Sequence, residues 1–362
     1  QPLVFVMENV KGMLSAKVDG KLIFDSIRED LQDPFKATKV QPDTGRGKHK
    51  YKIFSFVPQD GSLDLFSLQA GDSELKPRDF IIRAEEYGVP QARHRVILLG
   101  IREDVADGLA SLQLLHRSKA APTVEQVISD LPKLRSKLSK GEDSPENWLE
   151  VVSNPGKKLM KNLAKDAHVP DTVYDNLERT LAKVKIPRDN TGGLYGLRKA
   201  DNFNKGLNST LKQWYDDTRL GKYVVNHESR GHITADLYRY MYYSNYAAVI
   251  SESPTSHNLP KLLYPNHANF TSGKFADRFR VQLADRPGTT VTSHISKDGH
   301  YFIHYDPKQC RSLTVREAAR IQTFPDNYFF VGKRAQQYVQ VGNAVPPFLA
   351  EQLARIVNDL LS

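Results

Sequence analysis

The sequence predicts an α/β sheet domain joined to a longer mixed region, and three observations carry that expectation. The first hundred or so residues alternate between strand-like and helix-like patterning, in "LVFVMENV" (3–10), "KLIFDSIREDLQ" (21–32), "YKIFSFV" (51–57) and "RVILLGI" (95–101). Alternation of that kind is the mark of an α/β sheet. From about residue 105 the texture becomes charged and mostly helical, broken at "NPGKK", "HVPDT" and "DNTGGLYG". Finally, 362 residues at 40% apolar and 26% charged content are enough for real cores, and no run approaches the 18 or so apolar residues of a membrane-crossing helix.

The elements follow in order. "LVFVMENV" is nearly continuous in apolar residues, which predicts a strand buried on both faces of a parallel sheet. It ends in Glu8-Asn9, at the strand edge where open α/β sheets bind ligands. Leu22, Ile23, Ile27 and Leu31 recur at helical spacing, and 51–57 alternates loosely as a strand. "DFIIRAEEYGVPQ" (79–91) and 95–101 read as two more strands around a turn. Gln91, Arg93 and Arg95 alternate there, and a period of two places all three on one face, where two guanidiniums and an amide converge. Such forks recognise carbonyl oxygens, carboxylates and phosphates.

"TVEQVISDLPKL" (123–134) is a short helix closed by proline, and "ITADLYRYMYYSNYAAV" (233–249) reads as an amphipathic helix. Region 278–305, β-branched and aromatic with "RPG" and "KDG" turns, predicts a β-meander. In "RSLTVREAARIQTFPD" (311–326), Thr314 and Glu317 form a capping box that starts a helix at Val315. Arg316 and Arg320 then lie one turn apart, and the segment is an organiser. In "QVGNAVPP" (340–347), Gly342-Asn343 readily takes positive φ, and Pro346-Pro347 opens the last helix. A tight loop there offers backbone groups and an amide to a polar ligand.

The net charge of +9 suits a polyanionic partner, and basic residues cluster at 44–52, 133–140 and 156–165. Cys310 is the one cysteine, so an intrachain disulfide and a multi-thiolate zinc site are excluded. His227, His232, His300 and His304 lack thiolate company and regular spacing, so no metal is expected. The N-terminal apolar run is too short for a signal peptide and has no basic flank, and the expected location is cytoplasmic.

Taken together, Glu8-Asn9-Val10, "QARHR" (91–95), the 311–326 segment and "QVGNAVPP" resemble the DNA (cytosine-5)-methyltransferase family, whose later motifs run in this order. The resemblance implies a partial Rossmann-like methyltransferase sheet, its C-terminal half, in a catalytic domain of 1–136 and 308–362. It places a mixed α+β target-recognition domain at 137–307. The implied partner is duplex DNA, the implied cofactor S-adenosylmethionine, and the implied setting bacterial restriction–modification.

Residue by residue, the resemblance implies that Glu8 holds the N3 and amine of a flipped cytosine, Arg95 its O2, with Arg93 supporting the pocket. Asn343 and Ala344 contact the cofactor; Asn9, Gln91, Arg316, Glu317, Gln340 and Gly342 are supporting residues. The family's nucleophile, a cysteine in a Pro-Cys pair, and its cofactor Gly-rich loop precede the Glu-Asn-Val strand. Cys310 does not match that nucleophile, and "DTGRGKHK" (43–50) does not match the loop. The expectation is therefore a fragment or one subunit, inactive alone, that needs an N-terminal half or a homodimer across an exposed sheet edge. A non-enzymatic DNA-binding module is the alternative, and an RNA cytosine methyltransferase a further one.

Overall fold

The structure is a computed structural model that describes residues 1–38, 49–58, 75–154, 157–199, 206–266 and 278–362. The basic stretch 44–52 and the start of 156–165 fall in part outside the described residues. The chain packs as two compact units. Gln1–Gly88, Ala92–Ala120 and Phe348–Ser362 make the first, and Val89–Gln91 with Ala121–Pro347 the second.

The first unit is built on a four-stranded sheet: β1 (Val4–Val10), β2 (Tyr51–Ser55), β3 (Ile81–Arg83) and β4 (His94–Arg102). β4 is central. β1 pairs along one edge of it, while β2 and β3 share the other, and every pairing is antiparallel. β1 and β2 consequently run parallel to each other with β4 between them, linked through α1 (Ile23–Gln32).

One expectation is corrected here. β1 pairs antiparallel, and it is not buried on both faces: Val6 and Val10 are 45% and 53% exposed. An apolar run reports affinity for a strand, but both sheet directions use the same residue types, so it is silent on pairing.

Phe5 and Met7 face a core made with Tyr51, Ile53, Val96, Leu98 and the apolar stripe of α1, Phe24, Ile27 and Leu31. Gly100 lies opposite Phe5, and a Cβ there would come within 2.1 Å of the ring. The missing side chain lets Phe5 lie across the sheet and meet Tyr51 edge-on at 5.0 Å. The C-terminal helix, Pro347–Leu361, buries Leu349, Leu353 and Ile356 at i, i+4, i+7 spacing.

The second unit is largely helical: α2 (Val124–Ile128), α3 (Pro145–Ser153), α4 (Asp171–Lys183), α5 (Ser209–Tyr215), α6 (Thr234–Ile250), α7 (Val315–Ile321) and α8 (Arg334–Asn343). α2, α3 and α5 start on Thr123, Ser144 and Asn208, whose side chains each accept from the first helical turn. Trp148 and Val152 of α3 and Val173 and Leu177 of α4 pack around α6. Residues 121–136 and 308–347, grouped by sequence with the catalytic domain, pack in this unit.

α6 is a helix as expected, but not an amphipathic one. Leu237 and Arg239–Ala247 are all buried, the pattern of a helix enclosed on every side. Its polar groups are paired inside: Arg239 donates to the Leu263 carbonyl and to Asp236, and Thr180 donates to Asn245. Nor is 278–305 a meander. Its hydrogen bonds make isolated bridges and no ladder: Arg280 N–H to His300, Ile303 N–H to Arg280 and Gln282 N–H to Ile303 join 280–282 to 300–303, and Ile303 bridges once more to Ser312, between short 3-10 turns. β-branched residues fit a pleated surface, but a ladder also needs an aligned partner strand, and here partners are met one residue at a time. No helix among the described residues is long and apolar enough to cross a membrane.

Candidate functional site

Register brings the first cluster together. Val10 lies opposite Arg95 and Glu8 opposite Ile97, so Glu8 and Arg95 share a sheet face on neighbouring strands. The Arg95 Nε sits 2.8 Å from Glu8 Oε1, with the side chains 15% and 31% exposed. Arg95 also donates from Nη1 to the His94 carbonyl, which fixes its fork. Arg93, two residues back in sequence and just outside β4, is buried. Burial first, and the Arg95 charge second, lower its pKa to about 10, with Glu8 opposing. A guanidinium and a carboxylate thus meet part-exposed on one sheet face, with the buried charge of Arg93 close to them. Asn9 is exposed beside them and caps its own successor, accepting from the Val10 N–H.

Gln91 does not join this group, which corrects the expectation of a converging amide. Its side chain is buried in the second unit, accepting from the Val291 N–H and donating to the Ile321 carbonyl and the Gln322 side chain. Alternation holds only while the strand does, and Arg93 lies outside both the two-residue strand at Gln91 and β4.

The 311–326 segment is an organiser, as expected. The Thr314–Glu317 capping box is formed, and Glu317 also takes two 2.6 Å bonds from the Arg311 fork. Burial alone would raise the Glu317 pKa, but Arg311 and His304 hold it well below the usual carboxylate range. Arg320 binds Asp130 and Asp326, all three fully buried, and Lys199 adds a 3.0 Å contact to Asp326. Arg316 donates to the carbonyls of Val225, Pro325 and Tyr328, and burial lowers its pKa to about 10.

In the last motif, α8 runs on through Gly342-Asn343, so neither residue has the expected positive φ. Gly342 has a different reason to be glycine: a Cβ would stand 2.3 Å from the backbone of Thr292 and Ser293. The loop shortens to 344–346. Ala344 accepts from the Gln322 amide, Gln340 donates to the Val331 carbonyl, and the Asn343 side chain is exposed, with no hydrogen bond among the described residues.

Cys310 is buried in the second unit and donates its thiol to the Leu237 carbonyl; burial raises its pKa. A thiol so placed is neutral and enclosed.

The family model for C-5 cytosine-specific DNA methylases matches residues 79–358. The chain belongs to that family. Curated relatives agree. A type II methyltransferase of Bacillus paralicheniformis is 32% identical across the whole chain, which covers 61% of that protein. One of Desulfomicrobium norvegicum is 26% identical over 99% of the chain and 63% of its own length. A DNA (cytosine-5-)-methyltransferase of Aeropyrum pernix is 24% identical over the whole chain and 72% of its length. The chain thus spans about three-fifths of the first two relatives.

Sequence reasoning missed Arg311, Asp130 and Asp326 as members of the buried ion-pair network around α7. Arg311 and Glu317, and Arg320 and Asp326, are each six residues apart, beyond any helical spacing rule. Only the "RSL" before the capping box hinted at the first pair, and nothing local points to Asp130.

Proposed function

We propose that this chain supplies the base pocket and the DNA-reading part of a DNA cytosine-5 methyltransferase that acts on a cytosine flipped out of duplex DNA. The Glu8–Arg95 pair, half-open on one sheet face, carries the reading. A cytosine edge presents two acceptors, O2 and N3, and an amine donor. A guanidinium N–H suits O2, a protonated carboxyl suits N3, and the second carboxyl oxygen accepts from the amine. Proton sharing between Glu8 and N3 draws negative charge into the ring when a nucleophile adds at C6, and such assistance is worth roughly 10²–10⁴ in rate. Arg93, buried behind the pair, keeps positive charge at the pocket floor.

The family cofactor is S-adenosylmethionine, which supplies an electrophilic methyl group when bound. The residues present suit part of its site: the exposed, unspent amide of Asn343, with Ala344 beside it, would hold the amino-acid end. The only thiol in residues 1–362 is the enclosed Cys310. The nucleophile and the Gly-rich cofactor loop are accordingly assigned to sequence outside these residues, in the same polypeptide or in a separate N-terminal half. The target-recognition role is assigned to 137–307, and the place of action to the cytoplasm.

The test is methyl transfer to duplex DNA by the complete enzyme. Glu8→Gln is expected to lose roughly 10²–10⁴ in turnover while duplex binding stays intact. Unchanged turnover would remove Glu8 from the mechanism.

A further inference from the structure

A cleft of about 510 Å³ in the second unit opens beside the starts of α6 and α8 and the turn at 296–299. Arg230 lies in its wall, only 6% exposed, and its Nε and Nη1 are buried without an acceptor among the described residues. Its guanidinium carbon stands 4.6 Å from the Tyr338 ring centre, a contact that favours the charge but takes none of those hydrogens into a bond. A buried arginine with unfilled donors is costly. Gly299, at φ +77°, packs against buried Ser312, where a Cβ would fall 2.7 Å from the side-chain oxygen and 3.2 Å from Arg230 Nη1.

The surroundings are positive. Lys297 and Lys333 are exposed on the cleft with no carboxylate partner among the described residues, and Arg334 donates only to the Ser229 carbonyl. The two acids on the wall are already matched, Asp236 by Arg239 at 2.6 Å and Asp298 by Arg278 at 3.1 Å. Two helix N-termini add to the field: α6 begins on Ile233, which has no side chain to cap it, and α8 on Lys333.

A forked donor in a wall of unmatched cations fits a tetrahedral oxyanion, and an open cleft suits one carried on a long polymer rather than an enclosed metabolite. We propose that Arg230, flanked by Lys297, Lys333 and Arg334, clamps a backbone phosphate of the bound duplex. This rests on the DNA reading above and adds to it where the strand is held. The clamp sets position without reading sequence.

The experiment is duplex binding across roughly 50–200 mM salt, on the wild type, Arg230→Gln, Lys297→Ala/Lys333→Ala and, as an equal loss of charge outside the recognition region, the exposed pair Lys17→Ala/Lys21→Ala. Arg230→Gln is expected to weaken binding about tenfold or more. The Lys297/Lys333 double variant is expected to reduce the salt slope by about 1, and the control pair to change neither. If Arg230→Gln fails to fold, the exposed double variant decides. Wild-type binding with unchanged affinity and slope in the cleft variants, or an equal loss in the control pair, overturns the clamp and leaves the DNA reading standing. A wild type that binds no duplex at the low-salt end overturns both.

Discussion

The base pocket and the α7 framework are made of the same materials, arginines and carboxylates, yet they are different objects. At the sheet mouth, Glu8 and Arg95 touch through one contact and remain part-exposed, with donors and acceptors to spare. Around α7, Arg311 with Glu317 and Arg320 with Asp130 and Asp326 are fully buried, and each carboxylate is met by a guanidinium fork. A saturated, buried network holds a shape, whereas an unsaturated pair at a surface is available to a ligand. Residue type does not separate the two; leftover hydrogen-bond capacity and exposure do.

The comparison can be broken most directly at Arg320. Arg320→Leu leaves Asp130, Asp326 and Lys199 buried around a missing fork and should cost about 3–5 kcal/mol in denaturant unfolding. A loss under about 1 kcal/mol would mean that the framework is no stiffer than a surface pair.

Acid tests the same framework. Nε2 of His227 lies 2.8 Å from the Pro132 carbonyl and so carries the proton, while Nδ1 accepts from the Thr314 hydroxyl. Burial lowers its pKa to about 4. The unfolded chain therefore takes up a proton at this residue before the folded one does. The stability it contributes is fully present above about pH 6.5 and falls as the pH drops through about 4. The loss is on the order of 3 kcal/mol, and buried His232 and half-buried His300, also lowered, push the same way. Urea titrations across that window should show it, and a flat profile would contradict the neutral, enclosed imidazole.

Thr314→Val removes both the helix cap and the partner of His227 Nδ1, and should cost about 2 kcal/mol by thermal or urea unfolding. The smallest effect sharpens the contrast from the other side. Glu8→Gln should change unfolding stability by less than about 1 kcal/mol, even though it is the substitution expected to stop turnover. A large destabilisation would move Glu8 into the structural class.

Local chemistry was enough for β1 as a strand, for α1 and for the capping box of α7, because each rests on neighbours in sequence, whereas the meeting of Glu8 with Arg95 came only from the family resemblance. Local chemistry did not extend to Gln91, whose partners lie at 291, 321 and 322, some 200 residues away. Nor did it explain Gly342, where a close backbone approach, not a left-handed turn, excludes a side chain.

By itself, the sequence determined the family and the start of α7, since the order of motifs along the chain and short-range hydrogen bonding are written in it directly. Only the tertiary structure decided that β1 pairs antiparallel, that α6 is enclosed, and that Arg230 meets Lys297, Lys333 and Arg334 in one cleft. The positive stretches visible in the sequence were contiguous ones. These four cations are scattered over about a hundred residues and are drawn together only by packing, because burial and charge act through space while a sequence records separation along the chain.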